Sequence, residues 1–152
     1  MANPDSVAQY YLDSFGGGRI ASVQATQLNT TGNAVVTIPI LSGGLTKGAN
    51  VGSSGGVIIR RITVNNPTGS VSTANVSITT SNDGNASNAV VAAVALANLT
   101  GTGTYQDLTI ASPYTGNVVS GYNTNALYVN VGTASGNGNV VSIQVYGDVV
   151  SF

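Results

Sequence analysis

From residue 19 onward the chain is written in short apolar runs that alternate with polar positions, broken by clusters of Gly, Asn, Ser and Pro. Side chains on a strand point alternately to its two faces, so this two-residue period predicts half-buried β-strands. Arg19–Leu28 is the first expected strand. Ala34–Leu41 sets Val36, Ile38 and Ile40 against Val35, Thr37 and Pro39; proline cannot donate to a ladder, so this strand ends or edges a sheet. Val57–Val64 alternates Ile58, Arg60, Ile62 and Val64 with Val57, Ile59, Arg61 and Thr63. Val71–Thr80 places Ala74, Val76 and Ile78 inward, with Ser77 and Thr79 outward. Ala89–Leu96 is apolar throughout and reads as a buried strand, although its alanines also suit a helix. Tyr105–Ala111, Ala126–Val131 and Val140–Tyr146 complete the set, and 148–152 extends the last of them. Ser81-Asn82-Asp83-Gly84-Asn85 and Ser135-Gly136-Asn137-Gly138 read as hairpin turns, Asp-Gly being a favoured type I′ pair.

About eight strands with no interleaved helices predict an all-β protein, a single antiparallel β-sandwich of jelly-roll-like form. Residues 1–18 differ. They lack the alternation, and Val7, Tyr10, Tyr11, Leu12 and Phe15 fall at spacings that allow a short helix before Gly16-Gly17-Gly18. The expected organisation is an N-terminal arm and glycine hinge over 1–18 and a β-sandwich over 19–152. The five apolar arm residues are the candidate contacts with a partner protein or a second subunit.

Composition sharpens this picture. Charged residues make up 6% of the chain, against about 25% in typical domains. Four cations (Arg19, Lys47, Arg60, Arg61) face five acids (Asp5, Asp13, Asp83, Asp107, Asp148). A net charge of −1 with four cations does not suit neutralising a run of phosphates, so neither nucleic acid nor an anionic membrane is an expected partner. With no His and no Cys there is no ordinary zinc, haem or iron–sulfur site, no cysteine nucleophile and no histidine-activated serine. No catalytic, cofactor-binding or metal site is expected. No secretory signal pattern opens the sequence, so synthesis in the cytoplasm is expected. The longest apolar run, Ala89–Ala97, falls far short of the roughly 20 residues that span a bilayer.

Individual motifs have structural readings. Gly16-Gly17-Gly18 lacks the Lys-Ser/Thr pair of a phosphate loop, and Asn82-Asp83-Gly84-Asn85 lacks the bidentate Glu of a calcium loop. The five Asp residues are far apart in sequence, with no sign of the acid pair of a glycosidase. Arg60 and Arg61 should point to opposite faces, one of them inward and paired with Asp107 or Asp148, or facing another subunit. Tyr105, Tyr114, Tyr122, Tyr128 and Tyr146 are candidates for a sugar-binding face, although tyrosine is also ordinary strand composition.

The stretch Leu127–Gly136 (LYVNVGTASG), followed by Val140–Gly147 (VVSIQVYG), resembles the ending of small capsid decoration, or cement, proteins of tailed bacteriophages, cyanophages included. Leu99-Thr100-Gly101 through Tyr105-Gln106-Asp107-Leu108 is similar in style, and the likeness covers about half of the chain. It implies a β-sandwich made in the host cytoplasm and placed on the outer surface of the head, often trimeric, that bridges neighbouring major capsid subunits without enzymatic activity. Val7, Tyr10, Tyr11, Leu12 and Phe15 are then the candidate capsid contacts. Tail, neck and head-fibre proteins share the same texture, so a module with a receptor- or glycan-binding role is the alternative.

Overall fold

The structure is a computed structural model that describes residues 18–40, 55–115, 118–120 and 126–151. The candidate arm contacts Val7, Tyr10, Tyr11, Leu12 and Phe15 lie outside the described residues. Nine strands form: β1 (Gly18–Gln27), β2 (Gly32–Pro39), β3 (Gly55–Asn65), β4 (Asn75–Thr79), β5 (Ala89–Ala95), β6 (Tyr105–Leu108), β7 (Val118–Ser120), β8 (Ala126–Thr133) and β9 (Val140–Ser151). Gly18, grouped with the hinge on sequence grounds, is the first residue of β1 and pairs with Gly147.

The strands sort into two antiparallel sheets. One runs β1-β9-β3-β6, with β7 also paired to β3; the other runs β2-β8-β4-β5. The pairing is nested. β1 pairs with β9, β2 with β8, β3 with β6 and β7, and β4 with β5, so the first half of the chain lies antiparallel to the second in reverse order. Successive pairs go to alternate sheets, which rolls this long hairpin into a jelly-roll sandwich.

The interior follows the period-2 pattern. Val36 and Ile38 on β2, Val76 and Ile78 on β4, Leu127, Val129 and Val131 on β8, and Val141, Ile143 and Val145 on β9 are all buried in one core. Each such side chain contributes roughly 1.5–3 kcal/mol when fully buried. Val71, Ala74, Leu96 and Leu99 close one end, where the Val71 amide donates to the Leu99 carbonyl (2.9 Å) and the Leu96 amide to the Ala74 carbonyl (2.9 Å). β2 is an edge strand and stops at Pro39, as a residue without an N–H dictates.

Several expectations need correction. Strict alternation in 57–64 fails because a β-bulge lies between Ile59 and Arg61, opposite Tyr146 and Gly147. The inward set is therefore Val57 and Ile59, then Ile62 and Val64, and both Arg60 and Arg61 are exposed. Thr79 is fully buried rather than outward, its hydroxyl donating to the Ser81 carbonyl (2.7 Å). The Asp83-Gly84 pair is not a type I′ turn. Only Gly84 takes positive φ (70°), and a 3₁₀ turn over Ala86–Asn88 follows before β5. Residues 135–138 do not close a hairpin either, because they carry the chain from β8 in one sheet to β9 in the other. The expected strands 71–80 and 105–111 are shortened to β4 and β6, and β7 had no expectation.

Candidate functional site

On the outer face of the larger sheet, three strands set polar and aromatic side chains in rows. Tyr146 on β9 pairs with Arg61 on β3. Gln144, Thr63 and Asp107 form the next row across β9, β3 and β6, and Ser142, Asn65 and Tyr105 form the third. The bulge at Arg60 creates this arrangement. Had the parity of Val57 and Ile59 continued, Arg61, Thr63 and Asn65 would point into the core; the extra residue turns them outward while Ile62 and Val64 go in.

Gly147 makes the bulge possible. A Cβ at this position would lie 1.9 Å from the Ile58 carbonyl oxygen, so no side chain fits where β9 passes the bulged strand. β1 is irregular at the same level, between Arg19 and Ala21, so β9 is flanked by a register shift on each side.

Local bonds hold the rows. The Arg61 guanidinium carbon sits 4.5 Å from the Tyr146 ring centroid, a cation–π contact. The Tyr146 hydroxyl donates to Gln144 Oε1, and the Thr63 hydroxyl donates to Asp107 Oδ1. Gln106, between Tyr105 and Asp107, reaches elsewhere: its Nε2 donates to the Ala95 carbonyl (2.9 Å) and its Oε1 accepts from the Asn98 amide (3.0 Å), tying β6 to the end of β5. Asn65 Oδ1 is buried and accepts no hydrogen bond from the protein.

From these rows Arg61, Tyr146, Thr63, Asp107, Asn65 and Tyr105 line a groove of about 410 Å³, together with Asn66 and the turn at Gly103-Thr104. Its floor is hydroxyl and amide. Its wall is Tyr105, 64% exposed and the one large hydrophobic residue that is exposed among the described residues. One carboxylate, Asp107, and one cation, Arg61, lie in it. Such a lining offers donors, acceptors and an aromatic face, and it supplies no second acid for acid–base cleavage. Among the described residues no group of three His, Cys, Asp or Glu side chains could hold a metal ion. No helix there is long and apolar enough to cross a membrane.

Of the five tyrosines singled out in the sequence, the structure brings Tyr105 and Tyr146 to this groove. Tyr128 is on the other sheet, paired with Thr37 and Thr79, and Tyr114 packs against the core. Tyr122 lies outside the described residues. Arg60 is paired with Asp148 (2.7 Å), but on the surface rather than inside. Asp107 takes Thr63 as its partner instead of an arginine. Arg61, Thr63 and Asn65 were missed as site residues because their outward parity depends on the bulge.

No family model, no curated protein and no solved structure gave a significant match.

Proposed function

We propose that the chain is a non-enzymatic virion structural protein that decorates the head of a tailed bacteriophage, as a homo-oligomer, with a trimer favoured, and clamps neighbouring major capsid subunits. The observation that carries this reading is where the decoration-protein-like sequence falls. Leu127–Gly136 and Val140–Gly147 supply most of β8 and β9, one interior strand in each sheet of a jelly roll. The likeness therefore covers an interior strand of each sheet, and the architecture is one used by viral capsid domains. Fold alone does not assign a function; the low charge adds to it. A protein with 6% charged residues has little electrostatic help in staying dispersed, and residence on a repeating lattice removes that need.

Binding of purified full-length chain to phage heads that lack it tests the reading. Saturable binding is expected, and it should survive a rise in salt from about 0.1 to 1 M, which shortens the screening length from about 10 to 3 Å. Failure to bind heads, with binding to isolated tails instead, would replace decoration by a tail or fibre role.

A further inference from the structure

We infer that the groove between β3, β6 and β9 is a binding site for an uncharged saccharide. This site is independent of head attachment, and the inference stands or falls by itself. Sugar rings present an apolar C–H face and a rim of hydroxyls, and recognising them takes an exposed aromatic ring beside a dense set of fixed donors and acceptors. Tyr105 supplies the ring, unobstructed at 64% exposure. Asp107 supplies the strong acceptor: its Oδ1 takes the Thr63 hydroxyl, which fixes the carboxylate and leaves its remaining lone pairs to accept ligand hydroxyls. Thr63, Asn65 and Asn66 add hydroxyl and amide groups to the lining.

Charge argues for a neutral ligand. The groove holds one cation and one anion, and the Arg61 guanidinium already lies over the Tyr146 ring. An acidic sugar or a phosphate would bring its charge up to Asp107. Much of the lining is also held before any ligand arrives, since Arg61, Thr63, Asn65, Tyr105, Asp107 and Tyr146 stand on paired strands. Little ordering cost remains for binding.

The test is saturation-transfer NMR of the full chain with gluco-, galacto-, manno- and rhamno-oligosaccharides, and with sialyllactose and thymidine 5′-monophosphate as anionic probes. At least one neutral oligosaccharide is expected to bind. Tyr105→Ala should weaken that binding about tenfold, the order expected from losing an aromatic stacking face. Asp107→Asn, which retains an acceptor for Thr63, should weaken it as well. Tyr128→Ala, on the other sheet, should leave it unchanged. Melting curves of the variants separate lost binding from lost fold. Binding of the anionic probes alone, no binding of any neutral oligosaccharide, or a Tyr105→Ala protein that folds and binds like the parent would overturn the assignment.

Discussion

Single residues decide where this sandwich departs from a regular one. Gly147 is buried against the bulge in β3, and its replacement by alanine sets a methyl group against the Ile58 carbonyl. Gly147→Ala is expected to cost about 3 kcal/mol or more in urea unfolding, at the upper end for overpacking. Gly136→Ala meets no neighbour within 4 Å and has only its positive φ (76°) to strain, so about 1 kcal/mol is expected there. Asn130 shows the complementary case. β2 loops out between Gly32 and Val36, with Ala34 at φ 50°, and the Asn130 side chain fills the interrupted ladder. Its Oδ1 accepts from the Ala34 amide (2.8 Å) and its Nδ2 donates to Thr79 Oγ1 (3.0 Å). Asn130→Ala leaves the Ala34 amide without its acceptor and Thr79 Oγ1 without this donor, and should destabilise by about 1–3 kcal/mol, again read by urea unfolding. None of this was visible in the sequence, where Asn130 and Thr79 fall on the outward parity and only their place in the fold buries them.

At the level of elements, the strands were legible and their irregularities were not. β1, β2, β3, β8 and β9 fall where alternation and turn residues put them, because a half-buried strand must repeat every two residues. β5 falls on the apolar run but is an edge strand with Ala92, Ala93 and Ala95 exposed rather than a buried one. A bulge is one extra residue, and 57–64 reads as unbroken alternation whether or not it is there. The candidate groove was half legible for this reason: Tyr105 and Tyr146 stood out by type, whereas Arg61, Thr63 and Asn65 needed the bulge. Gly136 and its neighbours signal a turn correctly but do not say which sheet the next strand joins. The β4–β5 connection carries its own pH response. The Ser81 hydroxyl, then the Asn85 amide, donates to the Asp83 carboxylate and lowers its pKa below the ordinary value. The ionised form thus favours the folded turn; its contribution is present above the ordinary carboxylate pKa and is lost as pH falls through the lowered one. NMR of the Asn85 amide during acid titration should show a transition below pH ~3.9. The arm expected over residues 1–18 is also testable. On the docking reading, deletion of residues 1–15 keeps the β circular-dichroism spectrum and melting temperature and abolishes binding to heads. A truncated chain that unfolds, or that binds undiminished, would remove the arm as the anchor.

Across the whole molecule, a nearly uncharged jelly roll should respond little to solution conditions. The chain has no histidine, the side chain whose ordinary pKa lies between about pH 5 and 8, so its melting temperature should be flat from about pH 6 to 8. The surface ion pair Arg60–Asp148 has side chains 50% and 35% exposed, and its removal by Arg60→Ala should change stability by less than about 1 kcal/mol. Stability rests instead on the shared core of both sheets and on the nested pairing that gives nearly every strand a distant partner in sequence. Decoration of a head demands many identical copies on one lattice, whereas a tail or fibre position offers few. Mass-spectrometric quantification of this chain against the major capsid protein in purified particles therefore tests the central claim most directly. A decoration protein on a lattice of many capsid subunits should be present at a fixed fraction of the major capsid protein, on the order of hundreds of copies per particle if each joins several lattice contacts. About a dozen copies or fewer, the number a symmetric tail or fibre assembly holds, would contradict it.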